Sequence, residues 1–174
     1  MNSREIESFL TNCPKPFVVI LVGIPLSGKD TFLRTLKNLD YIEISRDKIL
    51  LEIANTEDYR QAYSLVDSKI IDKELNRQII HYGSLNKNII ANMTHLKAKR
   101  RISTLTRFNK EYYKIAIVFP IITKDDFSVR NDKRNREEKK FISIKLYDEM
   151  VNLFELVNEQ EGFDKVIELE RFVL

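Results

Sequence analysis

Apolar residues in this chain follow two arrangements: short unbroken runs, and longer stretches in which they recur every three or four positions. Unbroken runs mark strands buried on both faces, the three-to-four spacing marks amphipathic helices, and their alternation predicts parallel strands joined by helical crossovers. The fold class expected is therefore α/β. The clearest run, FVVILV at Phe17–Val22, has no polar alternation and reads as a central strand. Tyr41–Ile44, Asn88–Ala91, Ile115–Phe119 and Lys165–Leu169 are the other strands expected. Helical periodicity covers Lys29–Asn38, Asp47–Ala54, Asp58–Tyr82, Lys97–Tyr112, Lys124–Lys139 and Ser143–Asn158. The long Asp58–Tyr82 stretch admits one break, at a place the pattern does not mark. No repeat, linker or low-complexity segment interrupts the alternation, so one domain over residues 1–174 is expected.

Composition excludes several classes. With 43% hydrophobic and 32% charged residues the chain can fill a core and coat a surface, which removes intrinsic disorder as its main state. The longest uncharged apolar run, Phe17–Pro25, is about half of the roughly 20 residues that cross a bilayer, and no signal-type apolar segment opens the chain. One cysteine, Cys13, cannot form an internal disulfide, and His81 and His95 stand too far apart for a zinc-ligand motif. A reducing cytoplasm is the expected compartment. The formal net charge is +3 but unevenly laid out: Lys97–Lys110 holds six basic residues and no acid, whereas Asp148–Leu174 holds eight acids against Lys165 and Arg171. A polyanionic partner near the first segment is one reading; a solvated helix face, with Ile102 and Leu105 turned to the core, is the other.

Chemistry enters at the end of the first strand. Gly23-Ile24-Pro25-Leu26-Ser27-Gly28-Lys29 fits G-x-x-x-x-G-K, placed between a buried strand and an amphipathic helix. Glycines let the backbone curl so that N–H groups point at an anion, the helix N-terminus adds partial positive charge, and the lysine reaches the outer phosphates. ATP or another triphosphate is the implied ligand. Lys29 is followed by Asp30 and Thr31 rather than directly by the hydroxyl residue that usually ligates Mg²⁺. Either the Asp30 carboxylate takes the metal position, or it turns away and Thr31 or waters serve.

A phosphate loop is shared by GTPases, motors and kinases, so other segments must decide. Ile44-Ser45-Arg46-Asp47-Lys48 follows the second strand at the edge where open α/β sheets bind ligands, and Asp47 there can take the proton of an acceptor hydroxyl or simply cap a helix. The third strand runs into Asn92-Met93-Thr94, where many nucleotide hydrolases carry a metal-binding Asp. Arg130 and Arg134 are four apart, on one helix face, and can close over phosphates as a lid; the alternative is a solvated charge run.

GIPLSGKDT, ISRDK, the strand ending in Asn92-Met93-Thr94, and VRNDKR together resemble the phage-type polynucleotide 5′-hydroxyl kinases, in the same order, over roughly Phe17 to Phe154. The resemblance implies a three-layer P-loop kinase fold with a central parallel five-stranded sheet and a helical lid at about 124–140. It implies transfer of the ATP γ-phosphate to the 5′-OH end of DNA or RNA, with ATP and Mg²⁺ as cofactors, and, for a phage-encoded chain, the host cytoplasm as the place of action. By matching position, Lys29 would hold the phosphates, Asp47 would be the general base, and Arg130 and Arg134 would be lid arginines. Gly23–Thr31 and Arg130 would bind the nucleotide, Asp30 and Thr31 the metal, and Arg46, Asp47, Asn92, Thr94, Lys97, Arg100 and Arg101 the acceptor. Three positions depart from that family, which usually has Ser or Thr at position 30, Asp at 92, and an arginine where this chain has Leu50.

Three functions follow in order of preference: a polynucleotide 5′-kinase; a kinase of nucleosides, nucleoside monophosphates or other small acceptors; and a nucleotide-binding regulator or toxin-like P-loop protein. The basic block Lys97, Lys99, Arg100 and Arg101 favours the first, since a small acceptor has no phosphodiester backbone to grip.

Overall fold

The computed structural model describes residues 1–170. Arg171 to Leu174, the end of the acidic segment, lie outside the described residues. Five strands form one sheet in the order β2-β3-β1-β4-β5: β1 (Phe17–Val22), β2 (Ile42–Ser45), β3 (Ile89–Asn92), β4 (Tyr113–Val118) and β5 (Lys165–Glu168). Every pairing is parallel, with β1 in the centre between β3 and β4. The expected strands are all present: β1 has the expected bounds, and the other four differ from theirs by at most two residues at an end.

Alternation along β1 sends its side chains into two cores, and all six are buried. Val18, Ile20 and Val22 join the first, under α3 (Arg46–Ala54), α4 (Tyr59–Leu65), α5 (Ser68–Ser84) and α6 (Ala98–Leu105). Phe17, Val19 and Leu21 join the second, with Ile6 and Leu10 of α1 (Ser3–Asn12) and Phe32 and Leu33 of α2 (Lys29–Thr35). Helices on both faces of a parallel sheet give the three layers. Each such aliphatic side chain contributes about 1.5–3 kcal/mol by leaving water. A smaller cluster of Ile24, Leu96, Phe127 and Tyr147 seats the lid, α7 (Lys124–Glu138), and α8 (Ile144–Asn152) beside the sheet.

The helical expectations differ from the structure at their ends. The Asp58–Tyr82 stretch breaks at Val66–Asp67, because Asp58 and Asp67 each cap a new N-terminus: Asp58 accepts from the Arg60 and Gln61 amides, and Asp67 from that of Lys69. The helix expected from Lys97 to Tyr112 stops at Leu105, and Tyr112 then turns inward to donate its hydroxyl to the Gly83 and Lys87 carbonyls. The helix expected to Asn158 stops at Asn152, where Glu155 N–H instead donates to the Leu96 carbonyl. Helix α1 was not expected, although Asn2 and Glu5 form a reciprocal capping box and Ile6 and Leu10 stand four apart.

Arg101 corrects the reading of the basic block. It is fully buried, whereas Ile102 is 41% exposed. Its guanidinium donates to both Glu161 carboxylate oxygens at 2.6 and 2.8 Å, and to the carbonyls of His95, Leu96 and Leu156. All five N–H groups are thus used, so Arg101 cannot serve an acceptor. Part of the uneven charge is neutralised internally: Glu161 takes Arg101, and Glu155 caps the first turn of α6 through the Ala98 amide.

Because removing the guanidinium leaves the Glu161 carboxylate buried without its cation, Arg101→Ala should lower unfolding free energy by about 3–5 kcal/mol, the cost of breaking a buried ion pair. Arg100→Ala should leave it within about 0.5 kcal/mol. Urea melts of the two variants measure both; equal melts would mean that the Arg101 network carries no stability.

Candidate active site

The loop from Gly23 to Gly28 is shaped by two glycines and one strained residue. A Cβ on Gly23 would lie 2.8 Å from Ser27 Oγ and 2.9 Å from Phe119 Cβ, so the close turn after β1 requires glycine. Gly28 caps α2 in the left-handed region at φ 106°, and Leu26 is left-handed at φ 67°. This backbone leads straight into α2, whose N-terminus faces the cavity.

Lys29, 8% exposed, folds back so that Nζ donates to the Gly23 and Ile24 carbonyls at 2.8 and 2.7 Å. Burial pushes its ammonium down from the ordinary lysine value to about 8, against the pull of the Asp30 and Asp47 carboxylates; the Lys140 and Arg134 cations push the same way as burial.

Around that ammonium the structure gathers elements far apart in sequence into one cavity of about 1500 Å³. Asp47 sits in the first turn of α3 at the end of β2, capped locally by Ser45, whose hydroxyl accepts from the Lys48 amide. The helix cap is therefore Ser45, which frees Asp47 from that duty. Its Oδ1 accepts from the Tyr63 hydroxyl at 3.4 Å, and its Oδ2 pairs with the Lys140 ammonium. Arg46 lines the cavity but pairs with Asp72. Asn92, at the end of β3, donates to Asp30 Oδ1 at 2.9 Å and to Glu43 Oε1 at 3.0 Å, while Thr94 holds the loop by accepting from Gly23 N–H at 3.0 Å.

The lid supplies the opposite wall. Arg130 Nη1 donates to the Leu26 carbonyl of the loop at 2.9 Å. Arg134 donates Nη2–H to Asn131 Oδ1 at 3.3 Å, and its Nε is buried with no hydrogen-bond partner. Burial pulls the Arg134 guanidinium below its ordinary value, opposed by Glu138, Asp47 and Asp30. A buried unsatisfied N–H costs about 1–3 kcal/mol, which an incoming oxygen acceptor would recover. Asn131, 3% exposed, ties the lid together by bonding both the amide and the carbonyl of Ile142 on the returning chain.

Exposed Lys97 and Arg100 line the same cavity on the α6 side, joined by Arg107. Lys99 does not line it. Sequence reasoning missed Glu43, Tyr59, Tyr63, Arg107 and Lys140 here. Period-two spacing along Tyr41-Ile42-Glu43-Ile44 was available for Glu43; nothing local marks Lys140.

Hard oxygen donors suit Mg²⁺, and Asp30 offers a carboxylate beside the loop, with Thr31 next to it, whereas both Glu43 oxygens are engaged, Oε1 by Asn92 and Oε2 by Lys48. Among the described residues no group of three or more His, Cys, Asp or Glu is arranged to hold a metal ion. An ion held by one or two carboxylates plus ligand phosphates needs no such cage.

A central parallel strand feeding a glycine loop and a buried lysine, covered by a helix that brings Arg130 and Arg134 to the cavity, defines a P-loop kinase fold. The chain belongs to the AAA_33 family, described as an AAA domain, whose model matches residues 18–156. The fold makes it a phosphotransferase by class. It is similar to a chain of the Pnkp1/Rnl/Hen1 RNA repair complex, 21% identical, TM-score 0.65, covering 82% of this chain and 45% of that one. It is also similar to a gluconokinase from Sinorhizobium meliloti 1021, 12% identical, TM-score 0.50, covering 90% of this chain and 83% of that one. A structure from the PezAT toxin-antitoxin system of Streptococcus pneumoniae is 20% identical, TM-score 0.56, covering 88% of this chain and 71% of that one. The chain thus spans less than half the length of the RNA repair chain it matches. No curated protein sequence matches it. Among the described residues no helix is long and apolar enough to cross a membrane.

Burial of the Lys29 ammonium links its protonation to folding and to ligand binding. Below about pH 8 the folded protein carries the full cost of a buried ammonium; from there up to the ordinary lysine range the unfolded chain binds the extra proton, so stability rises with pH. A polyphosphate beside Nζ restores the charged form. MgATP binding at about pH 9 should therefore take up a large fraction of one proton, falling toward zero near pH 7. Calorimetry in two buffers of different ionisation enthalpy measures this, and equal uptake at both pH values would place the titrating group elsewhere.

Proposed function

We propose that the protein is an ATP- and Mg²⁺-dependent polynucleotide 5′-hydroxyl kinase. The observation that carries this reading is one cavity holding Lys29, the carboxylate of Asp47, the unsatisfied Arg134, and a basic rim of Lys97, Arg100 and Arg107. The first three serve phosphoryl transfer to a hydroxyl; the rim suits a phosphodiester backbone. The resemblance of GIPLSGKDT, ISRDK and VRNDKR to the phage-type kinases supports the same reading.

In this mechanism Lys29 binds the triphosphate together with backbone N–H groups of the loop up to Gly28, other than that of Gly23, which is bonded to Thr94, and Pro25, which has none. A Mg²⁺ ion, held by Asp30 with Thr31 beside it, would supply charge neutralisation at the phosphates. Asp47 accepts the proton of the acceptor 5′-hydroxyl as its oxygen bonds to the γ-phosphorus. The bond from that phosphorus to the β,γ-bridging oxygen breaks, and ADP leaves with the electron pair. Arg134 and Arg130 neutralise the equatorial oxygens of the transferring group, where a planar fork does more than a point charge. Asn92 and Arg46 stand on the acceptor side.

A kinase of small acceptors is the second reading, and Leu50 favours it. That residue is 1% exposed and packed in the core, so no cation projects one turn beyond Asp47 to take an acceptor phosphate.

Acceptor preference separates the two. Lys97→Ala/Arg100→Ala should raise KM for a 5′-OH oligonucleotide and lower the magnitude of its log–log salt slope by about 1.4, at about 0.7 per lost phosphate contact. A nucleoside or mononucleotide acceptor should be unaffected. Phosphorylation of mononucleotides alone by the unmodified protein would overturn the polynucleotide reading. Arg134→Ala should lower kcat by about 10²-fold or more and Arg134→Lys should fail to restore it; full rescue by lysine would remove the fork from the mechanism.

A further inference from the structure

Two lysines follow the lid helix. Lys139 is left-handed at φ 53°, which turns the chain back toward the cleft, and its ammonium meets Asp58 at 3.1 Å in an exposed pair. Lys140 is different. Its side chain is 13% exposed, its ammonium lies 4.1 Å from the centre of the Tyr59 ring, and it pairs with Asp47 Oδ2. Both Asp47 oxygens are thereby engaged from outside α3, Oδ2 by the lid and Oδ1 by Tyr63 of α4. The turn that delivers Lys140 is fixed by Asn131, the buried lid residue that grips Ile142 and also accepts from Arg134.

We propose that Lys140 is a positioning residue for phosphoryl transfer, aiming the Asp47 carboxylate and making its alignment conditional on docking of the lid's C-terminal end. This rests on reading Asp47 as the general base. The pair is only partly buried, with the Asp47 side chain 43% exposed, and ion pairs screened by water in this way add little to stability. Lys139 with Asp58 already fastens the same end of the lid to the α4 side at the surface. What Lys140 adds is a fixed direction for one carboxylate, and misplacement by about 1 Å costs a transfer step about 10²-fold. In the transfer step the acceptor proton passes to Asp47 and the ammonium keeps its own protons, so Lys140 orients without exchanging a proton.

The test is a double-mutant cycle at saturating ATP and acceptor, with Lys140→Gln beside Lys140→Ala so that the stem can be retained. Each Lys140 variant should lose about 10–100-fold in kcat with acceptor KM changed less than about threefold, and Lys140→Arg should recover most of the loss. Asp47→Asn should lose about 10²-fold or more, and adding Lys140→Ala to it should cost no further twofold, because the residue acts through Asp47. Lys139→Ala, which loosens the same lid end, should not reproduce the loss. A raised acceptor KM at unchanged kcat would make Lys140 a binding residue and overturn the proposal. A raised kcat would make it a blocking latch, and full additivity with Asp47→Asn would make it independent of the base; either overturns it too. An active Asp47→Asn variant would instead overturn the base assignment itself.

Discussion

A lysine ammonium is buried where the central strand ends, and the local chain is arranged around the cost of keeping it there. Lys29 Nζ has two backbone carbonyls, those of Gly23 and Ile24, as its hydrogen-bond acceptors. They can converge on it because Gly23 has no Cβ to collide with Ser27 and Phe119. The burial that lowers its proton affinity also keeps it next to the helix N-terminus instead of in solvent. The result is a strong, prepaid electrostatic requirement for anions at that point. The parallel sheet makes the requirement possible, since covering β1 on both faces places its end at the base of a cleft and not on an open surface.

Both signs of charge line the cleft, with cations in excess, and they enter from different elements. Carboxylates enter from α2, β2 and α3 as Asp30, Glu43 and Asp47, while cations enter from the lid as Arg130, Arg134 and Lys140 and from α6 as Lys97 and Arg100. Asn131 is the mechanical counterpart of this arrangement. With one amide it joins the lid helix to the chain returning from it and takes a hydrogen bond from Arg134, so the arginine and Lys140 are placed together.

The parts of this arrangement that could be read from the sequence are those with local causes. FVVILV followed by a glycine loop and an amphipathic helix specifies strand, turn and helix within about 20 residues, and the parallel sheet follows from repeated alternation. Arg101 was misread because its environment is made by Glu161 and Leu156, some sixty and fifty-five positions away. Charge in a run says nothing about which member turns inward. Lys140 escaped for the same reason, since its meeting with Asp47 depends on how the lid returns, and a buried Asn131 that looks in sequence like one more polar residue of a charged helix ties down that return; Tyr63 reaches Asp47 from α4, through the packing of α4 on α3.

The departures at positions 30 and 92 are physically coupled. The resemblance leads one to expect a hydroxyl at the start of α2 and a carboxylate at the end of β3; this chain has the carboxylate at the start of α2 and an amide at the end of β3. Asn92 uses its two N–H groups to hold Asp30 and Glu43. An ionised Asp at 92 would have no donor to offer and would stand as a third negative charge between two others. With Asp30 present, the amide is the side chain of that size that satisfies both neighbours. The negative charge at the phosphate loop is thereby retained but moved from the strand to the first turn of α2, where the partial positive charge of the helix N-terminus stabilises it.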